Sequence, residues 1–240
     1  MADAILDVAG VTKNFGGFTA LAGVDLRLGP NERLGLIGPN GSGKTTLINC
    51  ISGALLADSG TIRFQGADIT RMKAHQRTRL GIARSFQIPK PFRSMTVLEN
   101  ICIPLEYAGR RQAGRPLREE ALEILSTMGM ADLADSDAGS LTQIDLRKLE
   151  LARALAARPA LLVSDEAMAG LSGNEVDEIL AILMRVNEQG VAIIMIEHIM
   201  RAVMRFSERV ICLDAGQKIA EGVPDDIVHD PNVERAYLGE

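Results

Sequence analysis

Gly38-Pro39-Asn40-Gly41-Ser42-Gly43-Lys44-Thr45-Thr46 decides how this chain is read. The stretch fits G-x-x-x-x-G-K-[ST], a loop whose backbone N–H groups surround nucleotide phosphates. Ahead of it, Arg33-Leu34-Gly35-Leu36-Ile37 reads as a short buried strand, and residues 45–56 behind it read as a helix. Strand, tight loop and helix N-terminus together aim unpaired N–H groups and the positive end of a helix dipole at one anion. The alternative, a glycine turn with no ligand, does not require this setting. The chain is expected to bind a nucleoside triphosphate through Gly38, Asn40, Gly41, Ser42, Gly43, Lys44, Thr45 and Thr46.

Working outward, 240 residues can form one domain with a sizeable core and an inserted lobe. No apolar run approaches the ~20 residues that span a bilayer, and no basic segment leads into an apolar stretch at the N-terminus, so no signal peptide is expected. Cys50, Cys102 and Cys212 are scattered without a C-x-x-C pair, which reads as reduced, mostly buried thiols in a cytosolic protein. A net charge of −5 argues against general nucleic-acid affinity. The charge is uneven: residues 71–118 hold eleven Lys/Arg and only Glu99 and Glu106 as acids. Such a segment is either a solvated helical face or a lobe that meets anionic headgroups or a partner protein.

Residues 4–15 and 18–28 alternate in short apolar patterns broken by Gly16-Gly17, as in an antiparallel hairpin. Phe15 sits at its turn, where it serves either the hairpin core or as a stacking face for a base. A strand over 61–64 and a basic helix over 72–80 follow. An extended stretch over 81–86 stops at Gln87, and Pro89 and Pro91 restrain the loop to Phe92. Residues 95–107 and 116–128 have helical period, separated by a polar linker over 109–114. Thr142-Gln143-Ile144-Asp145 reads as a capping box opening a helix to about Ala157. Leu161 to Ser164 is a buried strand ending in Asp165-Glu166, two carboxylates where open α/β sheets bind ligands. They point to opposite faces, which suggests two separate tasks. After a helix over 174–189 and an apolar strand over 191–196, His198 stands just past a strand end. Residues 210–213 and 218–220 form a last hairpin around Ala215-Gly216, and two short helices close the chain.

These landmarks together resemble the nucleotide-binding subunit of ABC transporters. Residues 141–155, with Leu141, Arg147, Leu149-Glu150 and Ala152-Arg153-Ala154-Leu155, resemble the helix carrying the ABC signature. Asp165-Glu166 with Ala169-Gly170-Leu171 resembles the second phosphate motif and the loop after it. Met95-Thr96-Val97-Leu98-Glu99-Asn100, Ile196-Glu197-His198 and the tail Ala236-Tyr237-Leu238-Gly239-Glu240 resemble specifically the branched-chain amino-acid importer ATPases. The resemblance implies an α/β fold: a P-loop NTPase core over 1–87 and 158–240 with an N-terminal antiparallel β subdomain, and a helical lobe inserted over 88–157. It implies ATP and Mg²⁺ as cofactors. Lys44 would reach the β- and γ-phosphates, and Thr46 with the N–H groups of Gly41, Ser42 and Gly43 would hold other phosphate oxygens. Thr45, Asp165 and Gln87 would serve the metal, Glu166 would act as general base, His198 would contact the γ-phosphate, and Phe15 would stack on adenine. Implied partners are a second ATPase subunit, membrane permeases and, indirectly, a substrate-binding protein, with the chain peripheral on the cytoplasmic face of the membrane and no nucleic acid involved.

The sequence departs from the family at the signature, which usually begins Leu-Ser-x-Gly-Gln. Here Leu141-Thr142-Gln143-Ile144-Asp145 puts a β-branched residue where a bare glycine backbone approaches the opposite subunit's γ-phosphate. Thr142 keeps the hydroxyl, while Asp145 adds a carboxylate near a triphosphate. Losing one donor to a transition-state oxyanion costs about 10²–10³ in rate. The ATP site that this signature completes in trans is therefore expected to be slow, which favours a heterodimer over a homodimer. The alternative is that the helix keeps only its cap and still supplies an N–H. Ala167, where a proline is usual, is a smaller departure. Other readings are a urea or lipopolysaccharide transport system, a non-transport ABC ATPase, for which 240 residues leaves no tandem domain or coiled coil, and a small-molecule kinase, which needs neither the 147–155 motif nor His198.

Overall fold

The computed structural model describes residues 4–108 and 114–238. Most of the 109–114 linker, Arg110 and Arg111 of the basic stretch, and Gly239-Glu240 of the tail motif lie outside the described residues. Strands β1 (Leu6–Phe15), β2 (Phe18–Leu28), β4 (Ser59–Phe64) and β5 (Ala67–Asp68) form an antiparallel sheet in the order β2-β1-β4-β5. Their alternating residues bury one face, Leu6, Val8 and Val11 on β1 and Val24, Leu26 and Leu28 on β2.

The second sheet runs β10-β9-β3-β8-β7-β6, from β3 (Arg33–Ile37), β6 (Ile82–Ser85), β7 (Leu161–Asp165), β8 (Ala192–Ile196), β9 (Arg209–Asp214) and β10 (Gln217–Gly222). All but β10 are parallel to their neighbours. Every residue of β7 and β8 is buried, which is why β8 is an unbroken apolar run and β7 is apolar up to Ser164-Asp165. Helix α1 (Lys44–Ser52) lies between the two sheets, with Leu47, Ile48, Cys50 and Ile51 buried in the cluster they share. α2 (Ala74–Leu80) leads into β6. α3 (Val97–Tyr107), α4 (Leu117–Thr127) and α5 (Gln143–Ala156) form the helical lobe, whose core is built by Ile101, Leu105, Leu125 and Leu149. α6 (Gly173–Glu188) joins the same cluster. α7 (Met200–Phe206), α8 (Pro224–Val228) and α9 (Pro231–Leu238) complete the chain.

Several local expectations are corrected. α1 ends at Ser52, not residue 56, because Gly53 turns left-handed at φ 80 and a Cβ there would lie 2.9 Å from Arg77 Nε. α7 is a helix that the sequence did not announce. The expected capping box at Thr142 is only half present. Its hydroxyl accepts from the Asp145 N–H, but the Asp145 carboxylate takes the Thr142 hydroxyl proton in place of the Thr142 N–H. The basic stretch is not one charged face. Arg77 is fully buried, its guanidinium donating to the Cys50, Ile51, Thr70 and Met72 carbonyls. Two of those carbonyls close the last turn of α1, where a cation is favoured. Arg84, Arg115 and Arg118 pair with Asp165, Glu123 and Asp135.

Candidate functional site at the carboxyl edge of the parallel sheet

Parallel pairing brings the ends of four strands to one edge. Leu36 of β3 aligns with Ile196 of β8, Ile196 with Asp165 of β7, and Ser164 with Ser85 of β6. The glycine loop after β3, Gln87 after β6, Glu166 after β7 and His198 after β8 therefore emerge side by side. Ligands bind in open α/β sheets at this edge, where strand order reverses.

The loop is tight at Gly38 and Gly43, while Gly41 faces open space. A Cβ on Gly38 would lie 2.1 Å from the Leu213 carbonyl oxygen, and one on Gly43, at φ 104, 2.7 Å from the Ala20 carbonyl oxygen. Gly43 is the N-cap of α1, with no side chain covering that helix end. Lys44 folds back across the loop, its Nζ donating to the Gly38 carbonyl at 2.7 Å and the Pro39 carbonyl at 2.9 Å. Burial lowers its pKa against the opposing pull of Glu166, Cys212 and Asp165. The Ala215-Gly216 turn braces the loop from the side. Gly216 donates to the Ser42 carbonyl at 3.0 Å and accepts the Ala22 N–H at 2.9 Å.

Glu166 is the hub. Gln87 Nε2 donates to its Oε2, and His198 Nε2 lies 3.1 Å from Oε1. The residue leaves β7 in the left-handed region at φ 47, a conformation that costs a non-glycine residue about 1–3 kcal/mol and recurs at active sites. Its N–H is held by the Ile196 carbonyl at 2.9 Å. Asp165 remains within the strand, buried, and Arg84 engages its Oδ2 at 2.6 Å while also donating to Asn49 of α1 at 2.6 Å. The two carboxylates thus have different neighbours, as their opposed directions required.

Sequence reasoning did not find Arg84. It also missed the reach of Arg147, which donates from α5 to the Gln87 and Ala169 carbonyls and ties the helical lobe to both loops. Glu197, noted only within the Ile196-Glu197-His198 motif, is buried and accepts the Met168 N–H at 2.8 Å. Burial foremost, and then the charge of Glu166, raise its carboxyl to about 7. A buried acid beside a strand-end histidine is the one signal that the sequence held for it.

Phe15 closes β1 and is 48% exposed, with Lys13 Nζ 5.6 Å from its ring centre. Among the described residues, Thr142, Ile144 and Asp145 make no hydrogen bond to the glycine loop. Thr142 and Asp145 bond to each other, and Ile144 is half-buried.

The residues present fit a magnesium nucleotide. Mg²⁺ takes few protein oxygens and fills its remaining positions with water and phosphate. Here Thr45, an exposed residue, follows the lysine at the start of α1, and the Asp165 carboxylate acts electrostatically on that lysine; among the described residues no cluster of three or more His, Cys, Asp or Glu offers a fuller cage.

Known proteins resemble this chain over its length. Residues 21–169 match the family described as ABC transporter, and residues 217–240 match that described as branched-chain amino acid ATP-binding cassette transporter. The chain is 34% identical to the high-affinity branched-chain amino acid transport ATP-binding protein BraF of Pseudomonas aeruginosa, covering 100% of both. It is 38% identical to a probable branched-chain amino acid transport ATP-binding protein, LivG, of Archaeoglobus fulgidus, covering 98% of this chain and 95% of that one. A solved ATP-binding cassette of an ABC transporter in its ADP conformation superposes with a TM-score of 0.90 at 33% identity, covering 100% of each chain.

Proposed function

The chain belongs to the ABC transporter family of ATP-binding subunits, in its branched-chain amino-acid group, and from that premise we propose that it hydrolyses ATP as the stronger half of an unequal pair. It is an ATP hydrolase that powers an importer of branched-chain amino acids, working with membrane permeases. The observation that carries the site assignment is Glu166 held between Gln87 and His198 beside the glycine loop.

Lys44 and the N–H groups of Gly41, Ser42 and Gly43 bind the phosphates. Thr45, Asp165 and Gln87 would hold Mg²⁺, which would supply positive charge against the phosphates. Glu166 accepts the proton of the attacking water, His198 orients the γ-phosphate, and Phe15 stacks on the base. The core over 1–87 and 158–240 holds the nucleotide, and the lobe over 88–157 presents the signature to a partner.

A groove of about 530 Å³ opens beside the Gln87 loop, lined by Phe86, Pro104, Tyr107, Glu150 and Arg153. Phe86 is 51% exposed and Tyr107 72%. Two exposed aromatics rimmed by charge suit a protein segment, and the permease is the partner assigned to it. Among the described residues no helix is long and apolar enough to cross a membrane, so attachment runs through such contacts.

Ile144 supports the asymmetry, since it occupies the signature position where the family resemblance would put a glycine whose bare backbone approaches the partner's nucleotide. Glu166→Gln should lower ATPase activity by about 10²–10⁴-fold while the protein still binds ATP. More than a tenth of wild-type activity would sink the general-base assignment. For the unequal pair, ATPase activity is measured for the chain alone and with a second subunit of intact signature. The chain alone should be slow, and Ile144→Gly should raise its rate. Brisk activity alone, unchanged by Ile144→Gly, would exclude the asymmetry.

A further inference from the structure

The glycine loop is also held from the far end of the chain. Val233 of α9 is buried in one cluster with Ile37, Val210, Cys212 and Ile227, and the last helix packs against β10 and α8. Tyr237 lies four residues on, over the same helix face. The Gly38 N–H donates to its hydroxyl oxygen at 2.9 Å.

Gly38 is a consequential place to touch. The paired register of β3 ends at Leu36 with β8 and at Ile37 with β9, so the Gly38 amide lies beyond the ladder. Its carbonyl, on the other side of the same residue, receives Lys44 Nζ at 2.7 Å. At φ 143, wedged against Leu213 and the Ser42 hydroxyl, the residue cannot turn freely. Tyr237, Gly38 and Lys44 therefore form one hydrogen-bonded line from the C-terminal helix to the phosphate-binding lysine. Burial raises the Tyr237 pKa, which keeps the hydroxyl neutral at physiological pH.

We propose that Tyr237 is a positioning residue for ATP, fixing the Gly38 peptide and, through its carbonyl, the resting place of Lys44. The C-terminal helix is then a working part of the nucleotide site, and lifting it weakens ATP binding. The inference rests on the reading that residues 38–46 bind ATP.

The test uses the full chain. Tyr237→Phe removes only the hydroxyl. ATP affinity is measured by calorimetry, thermal stability by scanning, and amide hydrogen exchange on peptides covering Gly38. The expected result is ATP binding about 2- to 12-fold weaker, the worth of one neutral hydrogen bond, with faster exchange at Gly38 and Tm nearly unchanged. Val233→Ala, which loosens α9 but keeps the hydroxyl, should lower Tm and weaken ATP binding together. If the wild-type chain binds ATP and Tyr237→Phe matches it in affinity and exchange, the role of Tyr237 is refuted and the loop assignment stands. A Tyr237→Phe loss that only tracks a fall in Tm also refutes it. A wild-type chain that does not bind ATP overturns both.

Discussion

Glu197→Gln should make the protein more stable in mild alkali and remove one component of its pH dependence. Glu197 is 2% exposed at the end of β8, with Glu166 as a like-charged neighbour. Its carboxyl titrates at about 7 in the folded protein against a usual 4.5. Between these values the native state keeps a proton that the unfolded chain has lost. Stability therefore falls as pH rises through that window and levels off above about 7. At about 1.4 kcal/mol for each pH unit separating the two values, the loss amounts to about 3.5 kcal/mol at most. Glutamine mimics the protonated form permanently, and its carbonyl can still accept the Met168 N–H. Urea denaturation of both proteins at a series of pH values from 5 to 8 measures the effect, because other titrating groups cancel in the difference. The variant should gain on the wild type progressively across the series. A flat difference, or a variant less stable at the alkaline end, would show that Glu197 is charged and satisfied in the fold and would refute the reasoning.

Arg77→Met should destabilise by at least about 3 kcal/mol, since it strips a charged donor from several buried carbonyls; a denaturation midpoint within error of wild type would show that α1 closes without it. Arg84→Met leaves the buried Asp165 carboxylate without its cation, and breaking such a pair costs about 3–5 kcal/mol. A urea midpoint within error of wild type would show that Asp165 is satisfied without Arg84.

How much was legible before the structure depended on the range of the interaction. β3 was read over the same residues that it occupies, Arg33–Ile37, because a strand buried on both faces leaves an unbroken apolar run. Gln87, Glu166 and His198 stood out singly because each lies just past the end of an extended stretch. That they meet depends on the register of β6, β7 and β8, which no single segment carries. Arg84 and Asp165 are 81 residues apart and Arg77 and Cys50 are 27 apart, so nothing local distinguishes these arginines from surface ones. α7 leaves little trace because it is short and its N-cap is Ile199, which offers no side-chain cap. The residue roles came from the family resemblance, whereas the edge at which they gather follows from strand order.

The Ala215-Gly216 turn has a consequence for affinity. By bonding to Ser42 on one side and Ala22 on the other, it fastens the glycine loop to the sheet that carries Phe15. A nucleotide gripped by its base at Phe15 and by its phosphates at Lys44 would then be held by a single rigid frame. Once one end binds, the other finds its partner at high effective concentration, without the ordering penalty of drawing two mobile parts together.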